Sequence, residues 1–353
     1  MSVVTEQLKE RAQRYQAENP RAHAREVARA LHVSEAELVW ARTGEGVTAL
    51  DGRFRELFEA LPSLGDVKTM TRNEAAVIER WGTFERVEID GPMGQVVGEE
   101  IDLRLFLRQW GSAFALTETS ARGTRRSIQI FDRQGASVHK VYLEEDERLE
   151  AYAALVAARS ADVKEPFDIG PPPPPATEKP DAQIDVEGLR VAWDAMKDTH
   201  ELFGVLRRFG VTRAQALRLA GEARARCVSN TSFDAALKRA AETELPIMIF
   251  VGNKGAIQIH TGLVRRVERM HGWLNVLDPR LNLHVDDSKV AASWVVKKPT
   301  SDGIVTSLEL YDAANESVLM MFGKRKPGQT EDPRWREVVA SFEAHEATAP
   351  RGS

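Results

Sequence analysis

Cysteine is almost absent from this sequence, and long apolar runs are missing altogether. The single cysteine, Cys227, excludes an internal disulfide and a zinc site built from cysteines. No stretch reaches the roughly 18 apolar residues that a membrane-spanning helix needs. The first residues, MSVVTEQLKERAQRYQ, lack the apolar core of a signal peptide. We therefore expect a reduced, cytoplasmic protein that does not insert into a membrane.

The sequence also lacks an excess of positive charge. Among its 353 residues, 48 are Lys or Arg and 53 are Asp or Glu, which gives a formal net charge of −5. Such a chain has no overall basic field to attract nucleic acid or an anionic membrane surface. The content of 42% hydrophobic and 29% charged residues is ordinary for a globular protein, and the length suggests two domains.

The common signatures of catalysis and metal binding are missing as well. There is no phosphate-binding loop, no GxSxG nucleophile elbow and no HExxH zinc motif. None of the histidines pairs with another at the spacing of a zinc site, although His260 and His271 could approach each other in the fold. The histidines are His23, His32, His139, His200, His260, His271, His284 and His345.

One proline-rich segment divides the chain. The stretch GPPPPPATEKPD, residues 170–181, carries five consecutive prolines, which fit neither a helix interior nor the centre of a sheet. Such a run favours an extended polyproline backbone and forms a semi-rigid spacer. We therefore predict an N-terminal repeat over residues 1–168, a linker over 169–182 and a C-terminal repeat over 183–353.

The two sides of this linker carry nearly the same pattern, displaced by 180 positions. The displacement superposes Asn73 on Asn253, and the RVE segment at 86–88 on the RVE segment at 266–268. Longer segments align in the same register: IDLRLFLRQWGSAFAL with LNLHVDDSKVAASWVV, and SIQIFDRQGASVHKVYL with SLELYDAANESVLMMFG. One unbroken register over this length indicates an internal duplication in which both copies share a fold.

Each copy begins with helices, continues with strands and ends with a helix. Ser34 and Thr212, each followed three residues later by Glu or Gln, predict helix starts closed by a capping box. Gly210 and Gly221 predict helix ends. Alternating segments such as RSIQIFD and VTSLELYD, separated by short polar gaps, predict antiparallel strands. The predicted fold class is α+β, with two similar halves that each contain a large antiparallel sheet and flanking helices.

The paired helices of each copy also resemble helix-turn-helix DNA readers. The segments AREVARALHVSEAELVW and LFGVLRRFGVTRAQALRLA have suitable turn chemistry, and the second copy is rich in arginine there. In the first copy, however, Glu35 and Glu37 would face phosphates, and the net charge is of the wrong sign. A helical hairpin packed on a sheet is the simpler interpretation, and a DNA-binding protein stays as the third hypothesis after the two described below.

His200, in the second copy, occupies a position where an apolar residue would be expected. At helical spacing, it falls on the same stripe as several apolar residues. One interpretation is a buried histidine that bonds a nearby carbonyl group. The other interpretation is a ligand for a planar, apolar group that contains a metal. The stripe comprises Leu189, Trp193, Met196, His200 and Phe203.

The two copies differ where a single ligand site would be expected. His200 corresponds to Pro20 in the first copy, so that only the second copy carries this histidine. A histidine together with several cations on strands suits a ligand with an apolar body, an iron and carboxylates. Taken singly, Arg104 is typical of a surface ion pair, and Lys298 and Arg325 are typical of solvated charges.

With these features in place, the chain resembles the cytoplasmic haem-uptake proteins of the HemS/ChuS/PhuS type, also called haemin-degrading factors. The matching stretches run in order over nearly the whole chain, apart from the proline-rich linker. The resemblance implies two similar halves with a haem cleft between them. The stretches are RNEAAVIERWG, DLRLFLRQWGSAFAL, DTHELFGVLRRFGVTRAQALRLAG, IMIFVGNKGAIQIHTG, LNLHV and KPTSDGIVTSLELYD.

The resemblance also implies a set of haem-binding residues. His200 matches the axial ligand of the iron. Arg104 matches an arginine on the opposite face that meets an iron-bound ligand or a propionate, which makes Arg104 the candidate catalytic residue. Phe322 stands where some relatives have a tyrosine, so that a hydroxyl contact is lost on that side. The remaining matched residues, which would pack on the macrocycle or pair with its propionates, are Arg213, Phe250, Lys298 and Arg325.

Two functions of different classes follow from the resemblance, both within bacterial haem uptake and iron acquisition. In the first, haem is ligand and substrate and is degraded oxidatively. This function requires an external electron donor, because the sequence shows no flavin or nicotinamide site. In the second, the protein is a haem chaperone that hands haem to a separate haem oxygenase, with an inner-membrane haem importer as a further partner. His200 and the arginines would serve both functions.

Overall fold

The computed structural model of the chain describes residues 3–121, 123–162, 169–171, 174, 177–325 and 328–343. Residues 163–168 and the linker prolines Pro172, Pro173 and Pro175 lie outside the described residues, and the predicted domain limits stay a prediction. In the first half, three helices precede the strands, a fourth lies among them and a fifth follows. The elements are α1 (Val3–Glu18), α2 (Ala24–Leu31), α3 (Glu35–Trp40), β1 (Val47–Ala49), α4 (Phe54–Ala60), β2 (Val67–Arg72), β3 (Ala76–Gly82), β4 (Arg86–Asp90), β5 (Met93–Val97), β6 (Asp102–Phe106), β7 (Trp110–Ser120), β8 (Gly123–Asp132), β9 (Ser137–Leu143) and α5 (Leu149–Arg159).

The second half repeats this order of elements. They are α6 (Val186–Asp194), α7 (Glu201–Phe209), α8 (Arg213–Ala220), β10 (Ala225–Val228), α9 (Ser232–Glu242), β11 (Ile247–Gly252), β12 (Ala256–Gly262), β13 (Val267–Met270), β14 (Trp273–Asp278), β15 (Leu281–Val285), β16 (Val290–Thr300), β17 (Gly303–Asp312), β18 (Ser317–Gly323) and α10 (Pro333–Ala340). The limits of β2, β3, β7, β8 and β9 recur 180 positions later as those of β11, β12, β16, β17 and β18. The predicted internal duplication is confirmed.

In the described part of the chain, the strands form two nine-stranded sheets. The strand orders are β1-β7-β8-β9-β2-β3-β15-β14-β13 and β10-β16-β17-β18-β11-β12-β6-β5-β4. Neighbours such as β7 and β8, or β16 and β17, run antiparallel. The two orders are equivalent under the same displacement. The predicted α+β class with large antiparallel sheets is confirmed.

Two compact units make up the chain. The first contains residues 1–72, 78–173 and 252–258, and the second contains 73–77, 174–251 and 259–353. In the first unit, Asn253 donates from Nδ2 to the carbonyl oxygens of Arg72 at 3.0 Å and Val138 at 2.8 Å. Its Oδ1 accepts two backbone N–H groups of the turn that follows, at 2.9 and 3.0 Å. In the second unit, the equivalent Asn73 donates to the carbonyl oxygen of Val318 at 2.7 Å.

Each unit has its own apolar core. In the first, Leu57 and Phe58 of α4 join Ile128 and Ile130 of β8, all without exposed surface. Alternate residues of β8 reach this core because successive side chains of a strand point to opposite faces. In the second, α6 and α8 pack on the sheet, and Trp193 is fully buried. Burial of a large apolar side chain contributes roughly 1.5–3 kcal/mol.

The predicted helix boundaries are mostly confirmed. Ser34 Oγ accepts from the backbone N–H of Glu37 at 3.1 Å, and the Glu37 carboxylate accepts from the backbone N–H of Ser34 at 2.7 Å, which completes a capping box. Thr212 Oγ1 accepts from the backbone N–H of Gln215 at 3.0 Å. The reciprocal bond of a second box is not formed, because Gln215 Nε2 donates to the carbonyl oxygen of Lys179 at 2.7 Å.

The helix pair of the second half packs on its sheet. Gly210 (φ 63°) ends α7 and Gly221 (φ 83°) ends α8, as predicted. The buried face of α8 joins the core, which confirms the helical hairpin packed on a sheet. The buried residues of α8 are Ala214, Gln215, Ala216, Leu217 and Ala220.

No helix in the described ranges is long and apolar enough to cross a bilayer.

Candidate functional site

His200 does not lie on a continuous apolar stripe, so that prediction is wrong. The structure contains two helices here, α6 and α7, and His200 is the residue that precedes α7. Leu189, Trp193 and Met196 are buried. The side chain of His200, in contrast, is 93% exposed, and Phe203 is 73% exposed. The interpretation of His200 as a buried core histidine is therefore wrong as well.

Asp198 lies in the turn between α6 and α7 and holds the imidazole. Its Oδ1 accepts from the backbone N–H of His200 at 2.7 Å and lies 2.6 Å from the imidazole Nδ1. An aspartate that binds the backbone two residues ahead competes with helix formation. Both hydrogen bonds lower the pKa of Asp198, so that its carboxylate is ionised at neutral pH and only accepts. Nδ1 of His200 therefore donates to Asp198, and Nε2 is the ring nitrogen that remains for another partner.

This arrangement suits a histidine that binds a metal through Nε2. In metal sites, a carboxylate commonly accepts the N–H of the other ring nitrogen and orients the ring. Within the described ranges, no group of three or more His, Cys, Asp or Glu side chains is placed to hold an ion. His200 would thus supply a single ligand, as an axial histidine does. Phe203, one helical turn further along, adds an exposed apolar ring.

Arg325 lies close enough to Asp198 to influence it. The charge of Arg325 contributes to the lowered pKa of Asp198, after the hydrogen bonds from His200. Its Nη1 lies 3.6 Å from a carboxylate oxygen of Asp302, and its side chain is 22% exposed, so that it is not simply a solvated charge. The turn that carries Asp302 is tied to the segment before α7, because Ser301 N–H donates to the carbonyl oxygen of Lys197 at 2.9 Å.

A second group of predicted residues converges on Glu309, whose side chain has no exposed surface. Arg213 donates to it from Nε at 3.0 Å and from Nη2 at 2.8 Å. Lys298 Nζ donates at 2.7 Å, and the hydroxyls of Ser307 and Tyr311 donate at 2.7 and 2.6 Å. The side chain of Lys298 is only 4% exposed, so that its interpretation as a solvated charge is wrong. We call these five residues the Glu309 network.

Electrostatics keeps the Glu309 network charged. Burial alone would raise the pKa of Glu309, but the charges of Arg213 and Lys298 hold it well below its ordinary value. Burial, together with the charge of Glu309, raises the pKa of Tyr311, which stays protonated and donates. The network contains two cations and one carboxylate, so that one net positive charge remains on this face of the sheet.

Aromatic rings lie beside the Glu309 network. The rings of Phe250 and Phe322 are 5.1 Å apart between centroids and meet edge to face at 64°. Lys298 Nζ lies 5.2 Å from the centroid of Phe322, within the range of a cation–π contact. Arg213 Nη2 lies 3.7 Å from the sulfur of Met320, which pairs with Phe250 in the neighbouring strand. Phe322 thus provides a ring face to Lys298 in place of a hydroxyl.

Arg104 belongs to the first unit, on β6. Its Nη1 donates to the carboxylate of Asp102 and, at 3.0 Å, to the carbonyl oxygen of Leu103. The side chain is 39% exposed, so that the surface ion pair expected of Arg104 is confirmed. Burial raises the pKa of Asp102 although Arg104 acts in the opposite direction. The catalytic role of Arg104 stays a prediction.

The predicted residues of the second unit therefore fall into two groups, one around Asp198 and one around Glu309. Sequence reasoning missed both carboxylates. The available signal for Asp198 was an aspartate two residues before a histidine, a spacing typical of a local turn. The signal for Glu309 was its alternation with Ser307 and Tyr311 in a strand, which puts three polar side chains on one face.

The fold and these groups define a class: a duplicated α+β protein whose second unit presents one imidazole and a cationic, aromatic sheet face. The profile of the haemin-degrading HemS.ChuX domain family matches the chain twice, at residues 32–158 and 210–342. The chain belongs to this family. The two matched segments fall in the two halves of the internal duplication.

Known relatives match nearly the whole chain. The hemin transport protein HmuS of Yersinia pestis is 41% identical over 328 residues, which cover 92% of this chain and 94% of that protein. The crystal structure of holo-PhuS, a heme-binding protein from Pseudomonas aeruginosa, is similar with a TM-score of 0.94 and 44% identity, covering 97% and 99% of the two chains. ChuS, an E. coli heme oxygenase, has a TM-score of 0.85 and 36% identity over 95% and 99%. The family expected from the sequence is confirmed.

Proposed function

We propose that this protein binds haem in bacterial haem uptake and iron acquisition, in the cytoplasm, with His200 as the axial ligand of the iron. The observation that carries the proposal is the exposed imidazole whose Nδ1 is held 2.6 Å from Asp198, so that Nε2 is the nitrogen left to bind a metal. Family membership and the similarity to a heme-binding protein support haem as the ligand.

The other predicted residues suit the remaining parts of a haem. Phe250 offers an apolar ring to the macrocycle, and the cations Arg213, Lys298 and Arg325 provide the positive charge that propionates require. Arg104 is proposed to act on the opposite face, where a guanidinium is a permanently charged donor. A ligand with an apolar body, one metal and two carboxylates matches this combination of side chains.

We further propose that the bound haem is degraded oxidatively. Bound haem supplies the iron at which dioxygen chemistry takes place, and the protein binds, orients and shields it. His200 would hold the iron, and Arg104 would supply hydrogen-bond donors. The electrons come from an external reductant, which this chain requires as a partner. The similarity to ChuS, described as a heme oxygenase, supports this function.

The alternative is a carrier that passes haem to a separate haem oxygenase after import. The observation that favours it is the 93% exposure of the His200 side chain, because a surface ligand is accessible to a partner that takes over the iron. The name of HmuS, a hemin transport protein, points the same way. Both functions use the same axial ligand, so that binding alone does not separate them.

An aerobic haemin titration followed by ascorbate and catalase tests the proposal. We expect a saturable Soret band at about one haem per chain, and then its loss with absorbance typical of verdohaem or biliverdin. Catalase removes free peroxide, so that breakdown in its presence is the work of the protein. A Soret band that is stable under these conditions identifies the carrier, and the absence of saturable binding contradicts both functions.

A further inference from the structure

Glu309 receives as many hydrogen bonds as a carboxylate can accept. Its two oxygens offer about four lone-pair positions, and donors from Arg213, Lys298, Ser307 and Tyr311 all end on them. The residue has no exposed surface. A carboxylate in this state cannot contact a ligand or exchange a proton with one, and it acts on its surroundings through its charge.

The two cations of the network have few donors left. Lys298 Nζ donates to Ser307 at 3.1 Å and to Glu309 at 2.7 Å, and it faces the ring of Phe322 at 5.2 Å. An ammonium group has three protons, so that each has a partner. Arg213 commits Nε and Nη2 to the network, while its side chain is 31% exposed. Its Nη1 is the group left to donate a hydrogen bond to the carboxylate of a ligand.

We infer that Glu309 sets the net charge of this sheet face and thereby determines how strongly the proposed haem site prefers carboxylated porphyrins. The inference rests on the proposed function. Arg213 contacts a ligand carboxylate through Nη1, whereas Lys298 acts through its charge and not through a hydrogen bond. With Glu309 ionised, the Glu309 network carries one net positive charge, which matches one of the two propionates.

The first half shows that the fold accepts a neutral residue at this position. Gln129 corresponds to Glu309 under the displacement of 180 and is 5% exposed. Its Nε2 donates at 3.1 Å to Ser127 Oγ, and Ser127 is the counterpart of Ser307. The shape of a glutamine therefore fits this position, although the first copy has Val33 and Glu118 where the second has Arg213 and Lys298.

The experiment compares haemin with haemin dimethyl ester, which keeps the iron and macrocycle but has no free carboxylates. The measured quantity is the Kd of haemin dimethyl ester divided by the Kd of haemin, both from Soret titrations, so that a higher ratio means a stronger preference for haemin. We expect Glu309→Gln to raise the preference for haemin about tenfold, the order expected for one unit charge acting over roughly 10 Å in a partly buried site. The double variant Glu309→Gln with Lys298→Gln restores the net charge and should return the ratio to that of the wild type.

The double variant also removes both buried charges together, which avoids an unpaired buried ion and protects the fold. A matched control is Glu79→Gln, since Glu79 is a buried glutamate of the first unit that accepts from Lys68 Nζ at 3.1 Å, outside the network, and it should leave the ratio unchanged. An unchanged or lower ratio in Glu309→Gln overturns the inference. If the wild type binds neither porphyrin saturably, the proposed function itself fails, which is a separate outcome.

Discussion

Acid should destabilise the first unit through one buried histidine. His139 has no exposed surface, and its Nδ1 lies 2.8 Å from Thr71 Oγ1. Its Nε2 is buried without a hydrogen-bond partner among the described residues. Burial lowers the pKa of the imidazole from 6.5 to about 3. The unfolded chain therefore takes up a proton below about pH 6.5, whereas the native state stays neutral until about pH 3.

The sign and the size of the pH effect on stability follow from this difference between the unfolded and native pKa values of His139. Because the native pKa lies below the unfolded one, the native state is favoured above the unfolded pKa, and stability is lost as the pH falls through it. Between pH 7 and pH 5 the loss is about 2 kcal/mol, and it reaches about 4 kcal/mol at pH 3. These figures concern His139 alone, and the carboxylates of the chain add their own dependence.

The substitution His139→Leu isolates this contribution. The second half carries Leu319 at the corresponding position, also without exposed surface, so that the fold accepts leucine there. Urea unfolding of both proteins at pH 7, 6 and 5 should show that the wild type loses about 2 kcal/mol more than the variant between pH 7 and pH 5. His271→Asn, at an exposed turn with φ 52°, is a control that should keep the wild-type dependence. A stability difference that does not change with pH would refute the assignment of a neutral, buried imidazole.

Two further substitutions test the orientation of the His200 imidazole and the hydrogen bonds of Asn253. Asp198→Asn should weaken haemin binding about tenfold in a Soret titration, because an amide orients the imidazole of His200 less well than a carboxylate, and Asp194→Asn, which alters an exposed carboxylate paired with an arginine, should leave it unchanged. Asn253→Ala should lower the free energy of unfolding by about 2–4 kcal/mol in urea, since hydrogen bonds to two backbone carbonyls and two N–H groups are lost at about 1 kcal/mol each. A loss below about 0.5 kcal/mol would show that water replaces Asn253 without cost.

Strands with an alternating segment could be predicted from the sequence, whereas β1 and β5 could not. β8 and β17 contain the alternating segments SIQI and SLEL, and the displacement of 180 reinforces both. β1 has only three residues, and β5 (MGQVV) contains a glycine and no regular alternation of apolar and polar side chains. Such strands are stabilised by their neighbours in the sheet rather than by their own sequence, as expected where tertiary context outweighs propensity.

Sequence reasoning named the candidate site residues, whose roles stay predictions, but it did not give their local chemistry. Helical spacing placed His200 on an apolar face because periodicity takes no account of the turn between α6 and α7, in which Asp198 accepts from the backbone N–H of His200. The burial of Lys298 depends on Glu309, eleven positions further along and in the neighbouring strand. Their contact follows from the pairing of β16 with β17, where Lys298 lies opposite Val305, and that register appears only in the folded sheet.

The most direct test of the account is a haemin titration of the wild type and of His200→Ala, with His271→Asn as the control for loss of a histidine elsewhere. We predict that the wild type and the control share one Soret band and one affinity. We predict that His200→Ala shifts the band and weakens binding, and that added imidazole recovers part of the wild-type spectrum. If His200→Ala kept the wild-type band and affinity, His200 would not be the axial ligand, and the central claim would be wrong.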